Sequence, residues 1–102
     1  MRLAFAAQAR RNIDSIVDTI ASDNPKAAEK VYRTIMTTAS RLRDFPEMGH
    51  AGRVPGTREF SVPSLPYLIV YRGEVDGVTI LAVFHGARDL ARLFRQMDPR
   101  WD

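Results

Sequence analysis

The stretch YLIVYRGEVDGVTILAVFH, residues 67–85, decides the fold. Its first five residues are apolar or aromatic without a break, as in a central strand buried on both faces. GEVDG (73–77) supplies a turn, with Asp76-Gly77 as its signal. VTILAVFH (78–85) is a second apolar run of strand length, so the stretch predicts a β-hairpin. The second strand ends on His85 and leads through Gly-Ala-Arg-Asp into DLARLFRQM (89–97). There Leu90, Leu93, Phe94 and Met97 recur at helical spacing, and Arg88, Arg92 and Arg95 lie on another face, which predicts a short C-terminal helix.

Working upstream, TREFSV (57–62) alternates, with Phe60 and Val62 to one side, and is a third strand candidate. EMGHAGRVPG (47–56) has three glycines, a proline and no periodicity, and reads as a loop. Before it, Ala28, Val31, Tyr32, Ile35, Met36, Ala39 and Leu42 form one helical stripe. Asn24 is placed to cap that helix, Pro25 to occupy its first position and Pro46 to end it. Ala9, Ile13, Ile16, Val17 and Ile20 mark an earlier amphipathic helix over 7–22, and RLAF (2–5) a short first strand. Two helices with a tight connection form an antiparallel hairpin. Helices grouped before strands predict an α+β fold: a short N-terminal strand, a helix hairpin packed on one face of a small, mainly antiparallel sheet, and a short C-terminal helix. The 102 residues, 45% of them hydrophobic, fit one domain over 1–102 with a single core.

Composition narrows the chemistry. The absence of cysteine removes disulfides, thiol catalysis and cysteine metal sites. With two histidines, His50 and His85, a metal site would lean on carboxylates, and neither a metal nor another cofactor is expected. No apolar run is long enough to span a membrane. Arg10 and Arg11 interrupt the apolar N-terminus, which does not read as a secretory signal, and a cytoplasmic location is expected. The net charge is +3, and 13 of the 15 basic residues are Arg, which suits bidentate contacts to phosphate or carboxylate. The basic excess lies in residues 1–45, with eight basic and five acidic side chains, against seven of each in residues 46–102. Such a small net charge is no argument for nucleic acid.

Each conspicuous residue has a plain reading beside the functional one. His85 has the pKa range of a general acid or base; equally, it is a strand-end residue bonded to backbone or to Asp89 that holds the turn. Gly86 is expected to supply an unusual backbone conformation. Asp89 suits the cap of the last helix. The Arg88, Arg92 and Arg95 face could meet an anionic partner or simply be solvated. Tyr67 and Tyr71 fall on one side of their strand and suit core or groove packing. His50 has no assigned role.

The order of elements, with the phrases REFSVPSLPYLIVYR and ILAVFHGARD, resembles the RelE/ParE superfamily of bacterial type II toxins over nearly the whole chain. The resemblance implies a small toxin paired with a cognate antitoxin that binds and neutralises it in a hetero-oligomer. One branch of that superfamily cuts mRNA in the ribosome; the ParE branch is associated with poisoning DNA gyrase.

RNA cleavage without a metal needs a base near the 2′-hydroxyl, positive charge on the phosphate and an acid for the leaving oxygen. Ribonuclease relatives commonly carry an Arg early in the central strand, where this sequence has Leu68 within LIVY. His85 matches the place of a terminal catalytic residue in such relatives, but Gly86 and a further sixteen residues follow it. The HGARD continuation is more ParE-like. Leu68 therefore favours a toxin that binds gyrase without chemistry of its own. The expected target- or partner-binding residues are Arg58, Arg72, Arg88, Arg92 and Arg95, with His85 as the possible catalytic group. A ribosome-dependent mRNA endoribonuclease is the alternative, and an α+β interaction domain outside the toxins is the third reading.

Overall fold

The computed structural model describes residues 1–86 together with Arg88 and Asp89. In chain order the elements are β1 (Arg2–Phe5), α1 (Ala7–Ala21), α2 (Pro25–Asp44), a 3-10 turn (Pro46–Met48), β2 (His50–Ala51), β3 (Arg58–Ser61), β4 (Tyr67–Glu74) and β5 (Gly77–His85). The helix expected over DLARLFRQM, with Arg92 and Arg95, lies outside the described residues.

The five strands form one sheet in the order β1-β5-β4-β3-β2. All neighbours are antiparallel except β1 and β5, which run parallel. The α+β arrangement and mainly antiparallel sheet follow the expectation. The 67–85 hairpin is its centre: β4 pairs β3 on one side and β5 on the other, which is why YLIVY is apolar throughout. Strand side chains alternate between faces. Tyr67, Ile69 and Tyr71, with Ile80 and Val83 across from them, point toward the helices and join Ile13, Ile35, Ala39 and Leu42 in the main core. Leu68 and Val70, opposite Phe84 and Ala82, point to the other face. A register shift between Val70 and Tyr71 leaves Leu81 without an opposite residue, and Leu81 and Ala82 both belong to the outer-face cluster.

Local sequence explains the helix hairpin. Asn24 has an extended backbone, and its side-chain oxygen accepts from the Ala27 amide at 3.0 Å. Pro25 follows at the first helical position, where its missing N–H costs nothing. Arg41 and Arg43 lie in the last turn of α2, where cations complement the carbonyl end of the helix. No described helix is long and apolar enough to cross a membrane.

Four expectations need correction. Tyr32, counted into the buried stripe, is 46% exposed and lies at its edge. The turn is centred on Val75-Asp76, with Glu74 paired to Gly77, so Gly77 already belongs to β5. Its glycine serves strand packing: a Cβ there would run into the Arg2 main chain of β1. The stretch 47–56 is not all loop, since the 3-10 turn reaches into it and β2 pairs with β3. Among the described glycines, Gly56 has a positive φ and Gly86 does not. Gly86 is held by its amide donating to the Pro66 carbonyl at 2.8 Å.

Three side chains of the sheet pin the 46–57 segment. The Tyr71 hydroxyl donates to the Pro46 carbonyl at 2.6 Å and accepts from the Gly49 amide at 2.9 Å. Arg58 donates to the carbonyls of Glu47 and Gly49. Glu59, only 1% exposed, accepts from the Arg53 amide and the Arg53 guanidinium, each at 3.0 Å. A buried carboxylate is tolerated where it is hydrogen-bonded and paired, as here.

Candidate functional site

The last turn of β5 gathers the residues that the sequence marks out. Tyr67 and His85 are directly opposite across β4 and β5, with their rings edge to face at 5.9 Å on the helix side of the sheet. The chain then folds back within four residues. The Asp89 amide donates to the His85 carbonyl at 2.8 Å, and the Asp89 carboxylate accepts from the His85 amide at 3.0 Å. The Arg88 amide donates to His85 Nδ1, also at 3.0 Å. A neutral imidazole that accepts at Nδ1 carries its proton on Nε2. Its one free lone pair is then already engaged. Asp89 acts on the turn itself, by closing the His85 main chain.

The Arg88 guanidinium is two-thirds exposed, and its Nε stands 3.7 Å from Asp89 Oδ1, beyond hydrogen-bonding distance. Beside it opens a cleft of about 390 Å³ between α1 and the strand ends, lined by Asn12, Ser15, Thr19, Tyr67, Arg88 and Asp89 among others. β1 pairs with β5 only as far as Ile80. Beyond that point the Asn12 side chain of α1 accepts from the Val83 amide at 3.1 Å, and Asp89 takes the His85 amide. Asn12 was not singled out in the sequence. Its signal was there: a short amide side chain in mid-helix competes with helix bonding and is often placed for another contact.

Among the described residues, the other expected ones, Arg58 and Arg72, do not converge on this cleft. Arg58 faces the helix side opposite Tyr71, and its guanidinium is engaged by main-chain carbonyls. Arg72 is on the outer face of β4, with Nη2 3.7 Å from Glu74. It is five residues from Tyr67 along the same strand, about 17 Å at the usual rise. Leu68 is also on the outer face, beside Val70 and Phe84, so the side chain at that position and His85 are on opposite sides of the sheet.

A separate charged group ties β1 to the hairpin. Arg2 donates to Glu74 at 2.9 Å and to Asp76 at 3.1 Å, and Thr79 donates to Glu74 as well. The Arg2 bond holds Asp76 below its ordinary pKa. The Thr79 hydroxyl, and after it Arg2, lower that of Glu74.

Comparison with known proteins bears on the family and the fold. The profile of the family described as "ParE toxin of type II toxin-antitoxin system, parDE" matches residues 3–90. "Putative toxin Y4kP" of Sinorhizobium fredii (strain NBRC 101917 / NGR234) is 38% identical over 84 residues, covering 82% of this chain and 86% of that protein. A chain of the solved structure "Chromosomal ParDE TA system from P. aeruginosa" superposes with a TM-score of 0.74 at 23% identity, over 83% of this chain and 95% of that one, a likeness of fold. With a profile match spanning both helices and all five strands, the chain belongs to the ParE toxin family of type II toxin–antitoxin systems.

Proposed function

We propose that this toxin, whose natural partner is an antitoxin, arrests growth in the cytoplasm by binding DNA gyrase rather than by cutting RNA, and that the antitoxin neutralises it in a hetero-oligomer. The observation that carries the reading is the state of His85. Its Nδ1 lone pair is taken by the Arg88 amide, and the neighbouring ring is Tyr67. A general base must offer a free lone pair to the proton it removes. The position that carries an Arg in ribonuclease relatives is Leu68, on the other side of the sheet, so the central strand offers no cation to a phosphate at His85. What remains at the strand end suits recognition: an exposed Arg88 beside a cleft. Arginine often dominates the energetics of such surfaces. Arg92 and Arg95, outside the described residues, are proposed as further partner-binding residues on sequence grounds alone. Arg58 and Arg72 are left with structural roles, in the 46–57 segment and in the Glu74 cluster.

The test is induction of the protein without its antitoxin. The reading expects an SOS-type DNA-damage response and altered plasmid supercoiling, with intact mRNA. Messenger cuts at ribosomal A sites with normal supercoiling would replace it with the endoribonuclease reading.

A further inference from the structure

Buried polar groups in a folded protein are almost always hydrogen-bonded, so one that is not asks for a partner from outside. Two tyrosines of β4 make the contrast. The Tyr71 hydroxyl is bonded to Pro46 and Gly49. Tyr67 is only 9% exposed, yet among the described residues its hydroxyl meets no donor or acceptor. Its side chain lines the cleft of about 390 Å³ between α1 and the strand ends, and the hydroxyl is not sealed from solvent.

The α1 wall of that cleft carries further unused donors. The Asn12 side-chain oxygen is held by the Val83 amide, which leaves its NH₂ group without a partner among the described residues. On α2 the Thr34 and Thr38 hydroxyls bond back to carbonyls of their own helix, the usual recourse of such groups. The Ser15 and Thr19 hydroxyls, which line the cleft, do not. Arg88 stands beside them, two-thirds exposed. Acceptors are scarcer: Asp89 is the one carboxylate among the described lining residues, and it already takes the His85 amide. A cleft with donors in excess selects a ligand rich in acceptors. With one cation beside one carboxylate, a singly charged anion is better matched than a phosphate, which Asp89 would repel more strongly. Ile16 and Ile20 add an apolar wall for methylene groups.

We propose that this cleft takes the carboxylate of a glutamate or aspartate side chain of the target protein, with Arg88 as its counter-ion and the Tyr67 hydroxyl and Asn12 amide as the donors that select it. The inference rests on the gyrase reading and deepens it, by naming what the end of the strand recognises. Tyr67 and Asn12 are then specificity-determining residues: they hold the acidic group that Arg88 attracts.

The experiment titrates fluorescently labelled full-length toxin with purified gyrase, without DNA and again with DNA. Tyr67→Phe removes only the unbonded hydroxyl, so it should keep the melting temperature, in contrast to the same change at Tyr71. Asn12→Asp keeps an oxygen for the Val83 amide and sets negative charge where the amide nitrogen was. A hydrogen bond to a charged group is strong enough to shift affinity by about 10- to 100-fold. The expected result is a loss of that size in Tyr67→Phe and a larger one in Asn12→Asp, both without DNA. Wild-type affinity in either variant overturns the proposal. So does a loss in Tyr67→Phe that comes with a lowered melting temperature, because the hydroxyl is then structural. A loss confined to the samples with DNA also overturns it, because the anion is then a phosphate. A wild type that does not bind gyrase sinks the target reading and this inference with it, whereas a wild type that binds alongside unaffected variants sinks this inference alone.

Discussion

At the residue scale the hydroxyl of Tyr71 has an effect out of proportion to its size. It is buried, donates to Pro46 and accepts from Gly49, and so joins the middle of the sheet to the end of α2. Tyr71→Phe leaves the ring and strips both partners. A buried group left unpaired costs about 1–3 kcal/mol. Urea denaturation should show a loss in that range with an unchanged slope, and the Gly49 amide should exchange faster. Unaltered stability would mean that the segment is held by Arg58 and Glu59 alone. Little of this was legible in the sequence. A Tyr in an apolar run announces burial, but its partner is 25 residues away and no periodicity links the two. The Arg53–Glu59 pair was invisible for a similar reason. Alternation predicts which way Glu59 points, while its burial depends on a loop that folds over the outer face.

At the scale of elements, the helix stripes and the hairpin were readable because each repeats a single period. The correction at Tyr32 marks the limit: the stripe is wider than the sheet it covers, and position along the sequence does not say where the sheet ends. Ile35 lies at the centre of that contact and is fully buried. Ile35→Asp should cost about 3 kcal/mol or more, measured by chemical denaturation, since an unpaired charge would be left in the core. An equally stable variant would contradict the helix face described here. The pairing of β1 with β5 carries a pH dependence. Glu74 and Asp76 have folded pKa values below their unfolded ones, so their contribution is fully present above the unfolded values, near 4. It is lost as pH falls through the lower folded values. All three side chains are exposed, so the effect is modest and screened by salt. Thermal melts from pH 7 to pH 3 should show an acid decline that is shallower in Arg2→Gln. Parallel curves for the two proteins would exclude the clamp.

At the scale of the whole molecule, the fold is that of a toxin, and the proposed mode of action turns on one end of one strand. The order of elements and two short phrases were enough to read the family. The site was less legible, because its decisive feature is a hydrogen bond between a backbone amide and a ring nitrogen three residues apart. Sequence supplied His85, Leu68 and Arg88 as candidates; the pleat separated the first two onto opposite faces, and the turn engaged the histidine. The account therefore predicts that His85 is expendable to function and Arg88 is not. General acid–base catalysis contributes about 10²–10⁴-fold in rate, so a ribonuclease that lost this group would be close to inactive. The direct measurement is DNA supercoiling by purified gyrase in the presence of the full-length toxin, comparing wild type, His85→Asn and Arg88→Glu after circular dichroism has established that each is folded. His85→Asn is chosen because its side-chain oxygen can still accept from the Arg88 amide. The account predicts inhibition by the wild type, comparable inhibition by His85→Asn and weakened inhibition by Arg88→Glu. Unimpaired supercoiling with all three proteins, from a wild type that still arrests growth, would contradict it.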